Sequence, residues 1–496
     1  MATIKSSPPT SIEDLPTEIL SAVFTSFCSH CRPAYSREGE DRANAETLKA
    51  LTQTSRRCRS VSMPILFHNP NFHLSSTYVF GLLDHEPDLA LFTKALNLPL
   101  SGPTTSSNHP MLTRLANRLS LEVPSESDLS DHAESIETSL LLALCPNMER
   151  LTLRISDSEG KAQKTSFEFL RHMLESRQSI TGFPKLRHLE VDTSKCKRFS
   201  IAGTELSLFL QISPVLETLV LRGPNGHRVP DDDYKFDILK CSPALQNLKT
   251  LQILGWSFHG ATSDSLALGK ILNLTQNLKC FTFTTDDEGI WSDEGVPWSD
   301  VQVRLFHIPP ARFMEFLKPV QGTLQHLSLD FGNKMYAGRY LSPDMVILSS
   351  QEIHIFPNLE SLSLDLTCYC QHRFGSHAIG SAFDEKRCLT EILPQTLRRL
   401  TVCLNEKTWG ECFPDVLYLG ERAVAGDFPN LRQVTVKAPV RYQMPCSDGW
   451  DDYWDNQELD KISKNMRKRE GYVKEAFEGS GVVAELVSWY IWEDMY

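Results

Sequence analysis

The chain has 496 residues, 41% of them hydrophobic, and a formal net charge of −12. That hydrophobic share excludes a disordered polymer and suffices for a sizeable core, while the acidic balance speaks against nucleic-acid or anionic-membrane binding, which wants a basic face. No apolar run approaches the roughly 18 residues of a membrane-spanning helix, and Met1 to Pro9 lack the apolar stretch of a secretory signal. Thirteen cysteines without framework spacing read as reduced thiols, so a cytoplasmic and/or nuclear protein is expected.

Residues 1–11 read as a flexible lead-in to a compact helical module over 12–70. Asp14 is placed to cap its first helix and Pro16 falls in the first turn. Leu15, Ile19, Leu20, Val23, Phe24 and Phe27 then mark an apolar face. Residues 28–46 are polar and charged, the pattern of a loop. A second helix runs from Glu46 through Leu48 and Leu51 toward Ser55-Arg56-Arg57-Cys58, and Pro64 introduces Ile65-Leu66-Phe67. Residues 71–145 form a bridging segment with a first strand at Phe92 to Leu98, a Ser-, Pro- and Asn-rich loop at 99–110, and a helix over 128–145.

Residues 146–496 form one region with a C-terminal cap, in which a single phrase recurs as far as residue 436: apolar-x-x-apolar-x-apolar. It starts at Met148, Leu186, Leu216, Leu248, Leu278, Leu324, Leu359, Leu397 and Leu431, so the gaps run 38, 30, 32, 30, 46, 35, 38 and 34 residues. Such gaps hold a strand, a turn, a short helix and a return, as in stacked repeats that share one core. Pro146, Pro184, Pro214, Pro357 and Pro429 stand two residues before the phrase and would end the preceding helix. Phe167, Leu170 and Leu174 have helical spacing, as do Leu266 to Leu274 and Arg312 to Leu317.

Strand alternation predicts a row on the opposite face at Thr152, Glu190, Val220, Gln252, Thr282, Ser328, Ser363, Thr401 and Thr435. That row is small and mostly uncharged, with little binding energy of its own. A charged helix over 458–478 and a strand from Val482 to Trp492 close the chain.

The phrase resembles the leucine-rich-repeat core L-x-x-L-x-L. Leu15-Pro16-Thr17-Glu18-Ile19-Leu20 resembles the opening L-P-x-E-I-L of an F-box. Thr54-Ser55-Arg56-Arg57-Cys58-Arg59 is similar to its V-S-R-x-W-R element, with Cys in place of Trp, and Pro64 to Phe67 to its closing turn. The chain thus resembles a fungal F-box protein with degenerate leucine-rich repeats. The fold class implied is α/β: a small N-terminal helical bundle followed by an irregular solenoid, with a curved parallel sheet and helices on its convex side.

Two features depart from the family. The 28–46 segment is long for an inter-helix turn. The position where each repeat usually carries a closing Asn or Cys holds Ser156, Ser194, Pro224, Trp256, Asp286, Gly332, Thr367, Asn405 and Pro439, so only Asn405 fits.

The resemblance implies a non-catalytic substrate-recognition adaptor of a Skp–cullin–F-box ubiquitin ligase. Its adaptor-binding residues would be Leu15, Pro16, Ile19, Leu20, Leu51, Ile65 and Leu66. Its partners would be a Skp-type adaptor with the cullin–RING ligase, and an unknown protein substrate. Rival readings are an interaction scaffold without ligase function and a small-molecule sensor.

Substrate contacts are expected on loops after the strands, at Trp256, Trp291, Trp298, Trp409, Trp450 and Trp454, where acidic neighbours would favour a basic partner. Cys368, Cys370, His372 and His377 form one group of soft ligands, and Cys28, His30 and Cys31 another. Neither matches the paired spacing of structural zinc sites, so no metal and no cofactor is expected. No phosphate loop, nucleophile elbow or His-Glu-x-x-His helix is present, so no catalytic residue is assigned.

Overall fold

The fold is taken from a computed structural model. The structure describes residues 11–32, 38–70, 76–100, 109–119, 136–156, 182–195, 199–223, 238–256, 263–285, 310–331, 348, 350–369, 388–404, 409–442 and 456–492. The chain divides into two compact units. The first comprises residues 1–199, 203–221 and 235–247, and the second residues 200–202, 222–234 and 248–496.

The first unit opens with helices α1 (Thr17–Thr25), α2 (Glu38–Thr54) and α3 (Arg56–Leu66), with α3 packed on both others. Pro16, not Asp14, occupies the N-cap of α1, because Ile12–Asp14 form their own 3-10 turn, in which the Asp14 carboxylate accepts from the Ser11 N–H. The α2 helix starts eight residues before Glu46. Part of the expected polar loop is therefore helix. Ser55 caps α3 by accepting from the Cys58 N–H at 3.1 Å.

Next come α4 (Ser76–His85), β1 (Ala95–Leu100), α5 (His109–Arg118) and α6 (residues 136–144). Strands β2 (Arg150–Ser156), β3 (His188–Lys195) and β4 (Thr218–Arg222) alternate with α7 (Thr204–Ile212) and α8 (Ile238–Asn247), which pack on each other. The strands lie in chain order, with β1–β2 and β2–β3 parallel.

In the second unit β5 (Thr250–Leu254), β6 (Cys280–Thr284), β7 (His326–Asp330), β8 (Ser361–Asp365), β9 (Arg399–Cys403), β10 (Gln433–Tyr442) and β11 (Val483–Trp492) also follow chain order, each neighbouring pair parallel. Between them stand α9 (Ser263–Leu274), α10 (Pro310–Leu317), α11 (Ser350–His354), α12 (Cys388–Ile392), α13 (Trp409–Val424) and α14 (Asn456–Ala476). This is the expected α/β leucine-rich-repeat architecture. The expected helix over 167–174 lies outside the described residues.

All three apolar positions of all nine phrases are buried, each at 2% exposure or less. One phrase therefore removes three side chains from water, about 1.5–3 kcal/mol apiece. The intervening row is in register from Gln252 through Thr282, Ser328, Ser363 and Thr401 to Thr435. Its residues are half-buried, except Val220 at 5% exposure.

Four repeats carry an asparagine ladder ahead of the strand, whereas the family's closing Asn or Cys stands after it. Asn147, Asn247, Asn358 and Asn430 each precede the first apolar position. Each donates its amide to a carbonyl of the previous repeat: Leu91 at 3.0 Å, Pro214 at 2.8 Å, Gly322 at 2.7 Å and Gln395 at 3.0 Å. After the strand, Asp365 takes over the closing task in its repeat, accepting from Phe331 N–H at 3.1 Å and Cys368 N–H at 3.2 Å.

Candidate functional site

The N-terminal module has a complete core and a spare apolar surface. Leu20, Phe24, Leu48, Cys58, Ile65, Leu66 and Phe67 are each 5% exposed or less. Leu20, Ile65 and Leu66 are thus core residues and not the outward ligands expected of them: three short helices need every inward position to exclude water. Of the expected outward set, Ile19 is 48% exposed, Pro16 is exposed, and Leu15 and Leu51 are half-buried. Ile12 and Val23, at 47% and 40%, join them. Ile19 and Val23 stand four residues apart, one turn of α1, so they share a face. The backbone at its head is pinned by Arg57, whose guanidinium donates to the Leu15 carbonyl at 2.6 Å.

Cys28, His30 and Cys31 lie on the turn after α1, and the structure brings His68, which follows α3, to them. The Cys28 thiol is pulled down to about 7, mainly by its hydrogen bond with the Cys31 thiol against the opposing effect of burial. The same contact pushes Cys31 up. His68 lies 37 residues beyond Cys31, outside any local pattern. In the other group, Cys368 is a fully buried thiol that donates to Asp365 Oδ1 at 3.1 Å, and burial pushes it well up. Its companions Cys370, His372 and His377 lie outside the described residues.

The tryptophan expectation needs correction at Trp256, which is 1% exposed and among the largest buried side chains. It packs against Gly223: a Cβ there would meet the indole Cδ1 and the Gly255 carbonyl oxygen, each at 2.6 Å. Gly255 turns the chain with φ +69°, and the Trp256 N–H donates to the Thr284 carbonyl at 3.1 Å. Trp256 is therefore a buried anchor between neighbouring repeats. Trp409 opens α13, and Trp291, Trp298, Trp450 and Trp454 lie outside the described residues.

The second unit also offers an open hollow of about 600 Å³ at the start of β9 and β10, lined by Glu360, Arg398, Arg399, Arg432, Gln433 and Val483. Glu360 pairs with Arg398 at 3.6 Å, leaving the hollow basic on balance. The phrase marks its location, because Arg398, Arg399 and Arg432 occupy its polar second and third positions.

No protein-family profile and no curated protein matches the chain. Among solved structures it is similar to the Rad7 and Elc1 complex in yeast, with 13% identity, 80% of this chain and 90% of that chain covered, and a TM-score of 0.25. It is also similar to the TLR13–ssRNA13 complex, with 11% identity, 83% and 52% coverage, and a TM-score of 0.23. Likeness at this level carries no argument about function. Among the described residues no helix is long and apolar enough to cross a membrane.

Proposed function

We propose that this chain is a non-catalytic substrate receptor of a Skp–cullin–F-box ubiquitin ligase, acting in the cytoplasm, the nucleus or both. The observation that carries the proposal is that the apolar side chains Ile12, Pro16, Ile19 and Val23 stay exposed while Leu20, Phe24, Ile65 and Leu66 are buried in the core of the N-terminal module. The module's resemblance to an F-box names the partner of the exposed set as a Skp-type subunit. Burying the four side chains at an interface would recover hydrophobic free energy that the isolated chain leaves in water.

The repeats then present the substrate. The basic lining of the hollow at Arg398, Arg399 and Arg432 supports an acidic segment of the substrate as its occupant.

Co-expression of the full chain with a Skp-type subunit tests the first half. The reading expects co-purification, abolished by Ile19→Asp with Val23→Asp while the melting temperature holds. Failure of the wild-type chain to retain the subunit would favour a repeat scaffold without ligase function.

A further inference from the structure

Four soft ligands from two distant segments converge where the helical module meets the first strand. One donor atom from each of Cys28, His30, Cys31 and His68 lies within 4.8 Å of the others. His68 Nδ1 is 3.6 Å from Cys28 Sγ and 3.3 Å from Cys31 Sγ, and Cys31 Sγ is 3.6 Å from His30 Nδ1. A tetrahedral zinc ion with bonds of about 2.3 Å to sulfur and about 2.05 Å to nitrogen sets sulfur and nitrogen about 3.6 Å apart. Two of the three sulfur–nitrogen separations, at 3.6 Å, equal that edge and the third, at 3.3 Å, is slightly shorter, with all four donor atoms within 4.8 Å of one another.

Hydrogen bonding alone serves the cluster poorly. A thiol has one hydrogen and is a weak donor, yet Cys31 faces two imidazole nitrogens and the Cys28 thiol together. One cation at the centre would satisfy all four groups.

The surroundings fit a ligand set as well. His30 turns Nδ1 toward Cys31 and Nε2 toward Glu149, whose carboxylate lies 3.9 Å away, so an acid stands behind the imidazole as it commonly does behind a ligating histidine. The His68 carbonyl accepts the N–H groups of Lys94 at 3.0 Å and Ala95 at 2.8 Å, which fixes that residue against β1. Asn69 donates to the Ser29 hydroxyl at 3.3 Å, joining the two ligand segments once more. Cys28 is buried and Cys31 exposed, which gives an ion a way in.

We propose that Cys28, His30, Cys31 and His68 form a structural zinc site that staples the turn after α1 to the residues following α3. Two thiolates and two imidazoles in a tetrahedron suit zinc, and four protein ligands leave no open position for chemistry. Binding forms two Zn–S and two Zn–N bonds, and the two thiol protons pass to solvent. The site is independent of the adaptor reading, and either can fail alone.

The test is metal analysis of the full chain, purified from zinc-supplemented cells, together with the visible spectrum after cobalt(II) exchange. One zinc per chain is expected, with four-coordinate thiolate bands in the cobalt form. Cys28→Ser with Cys31→Ser should lose at least nine-tenths of the zinc, whereas Cys370→Ser with His372→Asn should keep it. His68→Cys, which preserves four ligands, should retain the ion that His68→Ala releases, and this pair decides the matter should the double-serine variant fail to fold. A folded wild-type chain without zinc would overturn the proposal. So would zinc retained by the double-serine variant, equal zinc in the two His68 variants, cobalt bands without thiolate character, or a Cys28–Cys31 disulfide in the unreduced protein.

Discussion

Replacing Trp256 by Ala distinguishes a buried anchor from a substrate contact. The side chain is 1% exposed and fills the space beside Gly223. Deleting a buried aromatic group of this size costs about 3–5 kcal/mol. In a unit of this length that corresponds to a fall in melting temperature of at least about 5 °C. The reciprocal change, Gly223→Ala, places a methyl 2.6 Å from the indole and 2.6 Å from the Gly255 carbonyl oxygen, and overpacking of this kind costs about 1–3 kcal/mol. In the Trp256→Ala background the indole obstruction is gone while the carbonyl remains, so Gly223→Ala should cost less there but not become neutral. Urea unfolding followed by far-UV circular dichroism on the four proteins gives the cycle, with a coupling of about 1 kcal/mol expected. A loss below about 1 kcal/mol for Trp256→Ala, or strict additivity, would refute the packing account and restore Trp256 as a surface contact.

Three further outcomes follow from other contacts. Asn358→Ala and Asn430→Ala each remove one inter-repeat hydrogen bond and should lower stability by about 1 kcal/mol, against no measurable change for an exposed asparagine outside the ladder. Arg114 donates to Asp84 Oδ2 from Nε at 3.0 Å and Nη2 at 2.8 Å, and with Arg118 nearby holds that carboxyl below its usual range. The pair therefore contributes fully above pH ~4, the unfolded value, and is lost as pH falls through the lower folded value. A pH series of unfolding midpoints should show Asp84→Asn trailing the wild type at neutrality and converging with it in acid. Arg399→Glu with Arg432→Glu reverses the charge of the hollow, so capture of an acidic substrate should drop and its salt dependence flatten, while unchanged capture would remove the hollow from the substrate surface.

The repeats were legible because their signal is local and redundant. An apolar residue at three of six positions must face inward from a strand, and nine recurrences leave one register available. Strand β1 and helix α14 are each legible from one local pattern, although the strand begins at Ala95 and not at Phe92, which ends a 3-10 turn. The ladder is not legible in the sequence because Asn147, Asn247, Asn358 and Asn430 stand before the strand, where their role depends on a carbonyl 33 to 56 residues earlier. Trp256 looked like a loop aromatic because its burial is decided by Gly223, 33 residues away and without a side chain to announce the fit. In the N-terminal module the motif located the helices but not the faces: Leu20 and Ile19 are neighbours in sequence, yet one is fully buried and the other 48% exposed. The cysteine–histidine group was incomplete on paper because His68 arrives through the packing of α3 beside α1.

The proposed docking of a Skp-type subunit on the exposed face of α1 is open to direct test. Hydrogen exchange of the full chain, alone and mixed with an equimolar Skp-type subunit, addresses it directly. Peptides covering Ile12 to Thr25 should gain protection on mixing, while those from β6 to β9 should not. Exchange at Ile12 to Thr25 that is the same with and without the subunit would contradict the docking.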